Sequence, residues 1–446
     1  MNSHGRRRVV VSAVLAASLA AWPGARLRAA PPAPAAVAAS TAAAASDKTY
    51  EKLKVLIDVL NLIQENYVEQ PDTQKLIEGA ASGMVRTLDP FSQYMDEEQH
   101  KEIKTETEGQ FGGLGIRIGM KDDWLTVITP LPGTPAYRAG ILPSDRLIEI
   151  DGETTKDMTL PDALDKLRGA PGTKVSLTLL RGPDGDGDGP WVSKIFPLTR
   201  ETVKIESVQS WIQAPGIGYL RIIEFSGRTA EDTAEALKDL RKQGAKALVL
   251  DLRNNPGGLL TAAVEIAGDF LGENKLIVYT QGRKADSRQE FHAGPTAAYG
   301  DMPLIVLING GSASASEIVS GAMQDHHRAV ILGAQSYGKA SVQSVIPLAD
   351  GSGLRLTVAH YYTPLGRSIH RDEKAHTGGI TPDIVVAVPR DTEAKLYNQW
   401  DLIYAQGKKP KSNVRSEELV KDDALQRAVE LLKAREVLGS LKVKEG

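Results

Sequence analysis

The chain has 446 residues, 41% hydrophobic and 24% charged, an ordinary globular composition for about three domains that excludes wholesale disorder and a polytopic membrane protein. Its 53 basic and 56 acidic residues leave a net charge of −3, which does not favour nucleic acid as a partner. The sequence contains no cysteine, so a nucleophile would have to be Ser, Thr, Lys or a carboxylate.

The first residues have the layout of an export signal. Three arginines, Arg6–Arg8, precede an apolar run from Val9 to Ala21 and an Ala- and Pro-rich stretch ending near Ser46. This predicts a signal peptide and flexible tether over residues 1–46, folded structure from about Asp47, and a periplasmic or secreted protein. An uncleaved transmembrane anchor is the alternative, disfavoured because a spanning helix needs ~20 residues.

The next segment reads as helical. Apolar residues between Tyr50 and Tyr67 recur at three- and four-residue steps, and a second helix is predicted over residues 73–87. Pro90 then ends the helical pattern, because proline disfavours helical backbone at the residue before it. Two amphipathic helices cannot form a core alone, so residues 47–105 are predicted to be a helical cap or a dimerisation arm.

Residues 106–200 consist of short β-rich runs broken by glycines, which predicts a small β domain. No Walker lysine follows the glycines at 112–115, so we interpret them as a loop whose backbone N–H groups bind a carboxylate, beside a strand edge that accepts a peptide. The run Asp184–Gly189 resembles half a calcium loop, but Ile195 stands where the closing glutamate should be, so a polar hairpin is predicted.

From Val203 onward strands alternate with helices, which predicts a largely parallel sheet covered by helices. The predicted elements are Ile217–Phe225, Thr229–Gln243, Ala247–Leu252, Leu259–Leu271 and Leu304–Ile308. A further amphipathic helix is predicted over residues 416–438. We therefore place a core domain at residues 201–395 and a C-terminal helical region at 396–446.

A serine triplet, Ser312, Ser314 and Ser316, follows the last of these strands and precedes a helix. A serine at such a corner lies beside the free N–H groups and positive dipole end of the helix, which suits an oxyanion. The alternative is a capping box, in which the Ser314 hydroxyl and Glu317 only cap the helix.

Two kinds of base can activate this serine. His326 and His327 lie about 18 Å along the same helix, too far to reach it. The remaining histidine candidates are His360, His370 and His376. Lys339 is the other candidate, provided that burial lowers its pKa well below about 10.4, and Gln343 is spaced to orient it. A third element, Gly257 and Gly258 after a buried strand, offers backbone N–H groups to a reacting carbonyl or simply makes a tight turn.

The β domain resembles a PDZ domain in its loop, Gly113-Leu114-Gly115-Ile116, and in the run from Gly133 to Gly152. The resemblance implies that the peptide carboxylate is bound by Gly113, Leu114, Gly115 and Ile116. Arg168, after the predicted groove helix, is a candidate partner for a carboxylate, with a solvated surface arginine as the alternative.

Motifs from about residue 50 to 390 resemble, in order, those of the C-terminal processing peptidases, also called tail-specific proteases. The matching phrases are Leu88-Asp89-Pro90, Gly218–Ile222, Asp251–Leu259, Gly311–Ile318, Gly338-Lys339 with Val342-Gln343, Tyr362–Arg367 and Ile380–Asp383. The resemblance implies a multidomain α/β fold: a ClpP/crotonase-like protease core with an inserted PDZ domain and helical arms at both ends. It implies a serine endopeptidase with no metal or cofactor.

The resemblance also implies the roles of individual residues. Ser314 would attack the scissile carbonyl, Lys339 would take and return the proton, and Gln343 would orient the lysine. The implied oxyanion hole consists of backbone N–H groups of Ala315 and of Gly257 or Gly258. Implied partners are protein substrates with unstructured apolar C-termini, a second copy of the chain, and an adaptor lipoprotein.

Two positions depart from the family's pattern. Phe91 replaces the histidine usual after Asp-Pro, which we expect to concern only the helical arm. Ala340 replaces a glycine that commonly follows the lysine, and if that position needs positive φ the alanine costs about 1 kcal/mol and misplaces Lys339. The rival hypotheses are a PDZ adaptor with an inactive or partner-activated core, and acyl-CoA chemistry, which the PDZ run and export signal disfavour.

Overall fold

The computed structural model describes residues 35–121, 123–182, 190–372, 377–389, 391–393, 395–396, 399 and 420–442. Residues 1–34 of the predicted signal and tether, and the Asp184–Gly189 run, lie outside this part of the chain. The chain divides into two compact units, residues 1–77 and 78–446. Within the described ranges, no helix combines the length and the apolar composition needed to cross a bilayer.

The first unit contains α1 (Ala35–Asn66) and the start of α2 (Thr73–Arg86). The prediction of a flexible tether as far as residue 46 is wrong from Ala35 onward, because this alanine-rich run is helical and alanine has the highest helix propensity. The large hydrophobic side chains of α1 that remain exposed are Tyr50, Leu53, Val55, Leu56, Ile57, Val59 and Leu62. The predicted second helix is confirmed.

A short strand and a helix follow the Asp89-Pro90 turn. They are β1 (Gln93–Met95) and α3 (Glu97–Glu108). The side chain of Met95 is buried. Strand β1 belongs to a sheet whose other strands lie between residues 276 and 362.

The β domain contains a six-stranded sheet, a separate pair of strands and two helices. Its elements are β2 (Gln110–Gly113), β3 (Ile116–Lys121), β4 (Trp124–Pro130), α4 (Pro135–Arg138), β5 (Arg146–Ile150), β6 (Glu153–Thr154), α5 (Leu160–Leu167), β7 (Lys174–Arg181), β8 (Val192–Thr199) and β9 (Glu201–Lys204). The sheet has the order β3-β4-β5-β7-β8, with β6 paired to β5, and β2 pairs separately with β9. Strand β3 is therefore an edge, and α5 packs beside it through Leu160, Leu164 and Leu167.

The core domain contains a six-stranded sheet covered on both faces. Its elements are β10 (Val208–Ala214), β11 (Ile217–Ile222), α6 (Thr229–Lys242), β12 (Ala247–Asp251), α7 (Leu260–Leu271), β15 (Leu304–Ile308), α8 (Ala315–Asp325), β16 (Val330–Gly333), β19 (Ile384–Val385) and α9 (Asp423–Lys442). The strand order is β10-β11-β12-β15-β16-β19, and every pair except β10–β11 is parallel. Helices α6, α7 and α8 pack on one face, and α9 packs on the other.

A second sheet of the core joins distant parts of the chain. It contains β13 (Leu276–Gly282), β14 (Gln289–His292), β17 (Ser341–Pro347) and β18 (Gly353–Tyr362). Its order is β1-β18-β13-β14, with β17 also paired to β18, and all pairs are antiparallel. The predicted multidomain α/β fold and the largely parallel sheet are confirmed.

Candidate active site

Two neighbouring parallel strands, β12 and β15, end at the same edge of the six-stranded sheet. The segments that follow them are joined by hydrogen bonds. The Asn254 N–H donates to Asn309 Oδ1 (2.8 Å), and the Ala313 N–H donates to the Asn255 carbonyl (3.0 Å). These contacts bring Gly257 next to Ser314, with Gly258 following it against Phe225.

The serine triplet has one member that differs from the other two. Ser312 and Ser316 are fully buried, and their hydroxyls donate to the carbonyls of Leu252 (2.8 Å) and Asn255 (3.0 Å). Ser314 is partly exposed at the N-terminus of α8. Its φ of 54° and ψ of −114° are uncommon for a residue with a Cβ, and such strain concentrates at functional sites.

The buried carboxylate of Glu317 links the segments that carry Ser314 and Lys339. Its Oε2 accepts from the N–H groups of Ser314 (2.8 Å) and Lys339 (2.9 Å). Its Oε1 accepts from the Ser336 hydroxyl (2.6 Å) and the Gly338 N–H (2.7 Å). Burial raises the pKa of Glu317, although these hydrogen bonds oppose the shift. The sequence predicted only the first of these contacts, the capping-box bond to Ser314.

Lys339 lies in the loop between β16 and β17. Burial lowers the pKa of Lys339, the positive charge of Arg355 adds to that effect, and Glu317 opposes it. Tyr361, which is buried, donates its hydroxyl to the Lys339 carbonyl. Among the hydrogen bonds of the described residues, none joins the Ser314 hydroxyl to Lys339 Nζ, so Glu317 links the backbones of the two residues and not their side chains.

Ala340 does not carry the strain that its replacement of glycine suggested. Positive φ falls on Gly338, at 91°, and not on Ala340. Ala340 is fully buried in the core cluster. The expected cost of alanine at this position therefore does not arise.

Phe91 and Gln343 contact each other, and Phe91 reaches Lys339. The centroid of the Phe91 ring lies 5.0 Å from Lys339 Nζ. Gln343 donates its Nε2 to the Phe91 carbonyl (2.5 Å) and accepts at Oε1 from Arg355 Nε (2.9 Å). The expectation that Phe91 concerns only the helical arm is wrong, because β1 pairs with β18 and carries Phe91 to the lysine.

The histidines considered as alternative bases make other contacts. Successive side chains of a strand point to opposite faces, and Tyr361 faces Lys339, so the adjacent His360 faces away. The His360 ring lies 5.1 Å from the exposed ring of His370. The His326 ring lies within hydrogen-bonding distance of the Leu276 carbonyl. His376 lies outside the described residues.

The two glycines after β12 differ in the use of their N–H groups. The Gly257 N–H donates to Asn255 Oδ1 (2.8 Å), whereas in the described part of the chain the N–H groups of Gly258 and Ala315 have no acceptor. Only glycine fits at either position. At residue 257 an added Cβ would lie 2.6 Å from Ser314 Cβ, and at residue 258 it would lie 2.1 Å from the Phe225 carbonyl oxygen.

A buried ionic cluster lies at the end of strand β12. Asp251 accepts from the Tyr219 hydroxyl (2.7 Å) and from Arg253, which also pairs with Asp422 (2.8 Å) just before α9. Although burial opposes ionisation of Asp251, the charge of Arg253 lowers its pKa. Sequence patterns did not reveal this cluster, because Tyr219 and Asp422 are far in the chain from Asp251 and Arg253.

In the β domain, the predicted carboxylate loop joins β2 to β3. Gly113 ends β2, Leu114 is buried, Gly115 has a φ of 71°, and Ile116 begins the edge strand β3. Arg168 follows α5, with its Cζ 5.4 Å from the centroid of the Phe111 ring.

Comparisons with known proteins agree with this architecture. Peptidase family S41 matches residues 216–386, the N-terminal domain of the activating protease CtpB matches 18–99, and a PDZ domain matches 126–181. A carboxy-terminal-processing protease of Bartonella bacilliformis is 44% identical over 355 residues, 78% of each chain. A carboxyl-terminal-processing protease of Synechocystis sp. is 38% identical over 351 residues, 77% of this chain and 79% of that one. The solved structure of the photosystem II D1 C-terminal processing protease is 29% identical, covers 74% of this chain and 92% of its own, and gives a TM-score of 0.41.

The fold and these matches define a serine-type peptidase with a PDZ domain. More narrowly, the chain belongs to the carboxy-terminal processing peptidases of family S41, as its motifs predicted.

Proposed function

We propose that this protein is a periplasmic or secreted endopeptidase that cleaves protein substrates engaged by their C-terminal tails, with Ser314 as nucleophile and Lys339 as general base. The observation that carries the proposal is the Glu317 carboxylate, which accepts N–H bonds from both residues at once. A shared buried acceptor of this kind holds the two segments in a fixed relation, as a nucleophile and its base require.

In the proposed reaction, Lys339 removes the hydroxyl proton as Ser314 attacks the scissile carbonyl. The N–H groups of Ala315 and Gly258 receive the developing oxyanion, since the Gly257 N–H is already bound to Asn255. The lysine returns the proton to the leaving amine, and water then releases the acyl-enzyme. Gln343 acts on Lys339 indirectly, through its hydrogen bonds to Phe91 and Arg355, rather than through a direct bond to the lysine.

The proposed tail site lies on the PDZ domain. Strand β3 has an unpaired edge beside α5, and the loop Gly113-Leu114-Gly115-Ile116 leads into it. An extended peptide can add to such an edge, with its terminal carboxylate at the loop and its apolar side chains toward Leu160 and Leu164. Arg168 stands at the end of α5, where its charge favours an anionic tail.

The proposed assembly is a homodimer formed through the N-terminal helix. Seven large hydrophobic side chains of α1 are exposed in the single chain, and so large an apolar surface favours burial against a partner. Protein substrates with unstructured apolar C-termini remain the proposed partners, and an adaptor lipoprotein is a further candidate.

The test uses an unstructured reporter protein ending in an apolar free carboxylate and the same reporter with an amidated tail. We expect the free tail to be cleaved faster, and Ser314→Ala to abolish cleavage of both while still binding the free tail. If the wild type binds the free tail but cleaves neither reporter, the adaptor function, with a core that is inactive or awaits a partner, takes the place of this proposal.

The pH dependence identifies the base. Because burial lowers the pKa of Lys339, kcat/KM is expected to rise with pH to a midpoint below the ordinary lysine value of about 10.4. Lys246→Met, which alters an exposed lysine, should keep the same midpoint. A midpoint of kcat/KM at about pH 6.5 that disappears in His360→Ala would instead indicate a histidine base.

A further inference from the structure

We infer that Phe91 is a positioning residue for Lys339, supplied to the active site by the segment that precedes the PDZ domain. This inference rests on the proposed role of Lys339 as the base. It concerns how that lysine is held, and it gives the 89–95 segment a function beyond joining helices.

The segment is fixed to β18 by side chains on both sides of Phe91. Asp89 accepts from the N–H groups of Phe91 and Ser92 and from the Ser92 hydroxyl, at 2.7–2.8 Å. The Thr357 N–H donates to Ser92 Oγ (3.1 Å), and its hydroxyl donates to Asp89 (3.3 Å). Although burial opposes ionisation of Asp89, these bonds lower its pKa, so the carboxylate that holds the turn stays charged at neutral pH.

Backbone pairing and a side-chain bond complete the attachment. Gln93 pairs with Arg355, which itself donates to Gln343, and Gln343 donates to the Phe91 carbonyl. Phe91 is therefore held at its carbonyl, at its N–H and by the strand that follows. These bonds fix the backbone of Phe91, so the ring is presented to Lys339 from a Cα that is held in place.

The ring covers one side of the lysine. It lies 5.0 Å from Nζ, within the range in which an aromatic face interacts with an ammonium group. The other charged or titratable groups around Lys339 are Arg355 and Tyr361 on β18 and Glu317 on α8. Glu317 binds only the backbone N–H of Lys339, so we expect the ring to shield the amine itself from water.

The test compares Phe91→Ala, which removes the ring, with Phe91→Leu, which keeps the site dry without an aromatic face. For Phe91→Ala we expect the pH midpoint of kcat/KM to rise by about 0.5–1 unit, because water reaches the ammonium group. Phe91→Leu should keep the midpoint or lower it. Tyr94→Ala, on the same segment, is the matched control and should leave the midpoint unchanged.

A second measurement does not depend on catalysis. The titration of the Lys339 amine is followed by competitive acetylation and mass spectrometry in a Ser314→Ala background, with and without Phe91→Ala. An upward shift with Phe91→Ala supports the positioning role even if the reporter is never cleaved, in which case only the proposed function fails. If Phe91→Ala lowers kcat equally at every pH and leaves the amine titration unchanged, Phe91 is merely structural and the inference is overturned.

Discussion

Replacing Lys339 by methionine is expected to lower kcat by about 10⁴-fold without destabilising the fold. Methionine retains the length and apolar stem of lysine but cannot accept the proton from Ser314. The pKa of Lys339 is lowered mainly by burial, so at a pH below that pKa the folded protein holds a desolvated cation. Removing this cation should leave the urea midpoint of unfolding equal or higher.

The same experiment has an internal check. If Ser314 and Lys339 act as one unit, the double variant Ser314→Ala/Lys339→Met should be no slower than either single variant. Lys246→Met controls for the general loss of a positive charge. Losses that multiply in the double variant, or a Lys339→Met enzyme that retains more than about a tenth of wild-type kcat, would contradict the proposed pair.

Glu317→Ala is expected to lower the free energy of unfolding by about 3–5 kcal/mol and to abolish measurable cleavage. The alanine leaves the Ser336 hydroxyl and three backbone N–H groups buried without their acceptor. It also removes the only side chain that binds the backbone of both Ser314 and Lys339 in the described structure. Urea denaturation and the reporter assay measure the two effects separately.

Glu317→Gln should be intermediate, because the two carboxylate oxygens serve different donors. A glutamine can present its oxygen to Ser314 and Lys339 or to Ser336 and Gly338, and its NH₂ then faces the other two donors. We expect a loss of about 2 kcal/mol. Glu231→Ala, on the exposed side of α6, is the control. An unchanged urea midpoint in Glu317→Ala would show that the carboxylate does not hold these segments.

The sequence was most informative where local patterns determine structure. Apolar runs predicted β12, β15 and the helices that follow them, because continuous apolar strands and amphipathic helices have characteristic periods. The same reasoning missed the helix over residues 35–46, because the scarcity of bulky apolar side chains predicts a flexible tether although alanine itself favours helix.

The parts of the site that could not be predicted depend on long-range contacts. Ser314-x-x-Glu317 predicted a capping box, but the bonds from Ser336, Gly338 and Lys339 need the tertiary fold. Phe91 was separated from Lys339 by the whole PDZ domain, so only the pairing of β1 with β18 reveals their contact. The proposed choice of Gly258 over Gly257 rests instead on a local bond to the Asn255 side chain, which the sequence pattern does not specify.

The attachment of β1 to β18 also constrains how the protein is made. Ser92 and Thr357 are bonded although they are 265 residues apart in the chain. The segment that contains Ser92 therefore cannot form these bonds until Thr357 has been synthesised. Contacts between residues so far apart in the chain form slowly. The PDZ domain, whose contacts are local, can fold before that. Chains that end before β18, which begins at Gly353, therefore lack the strand that holds Phe91 beside Lys339.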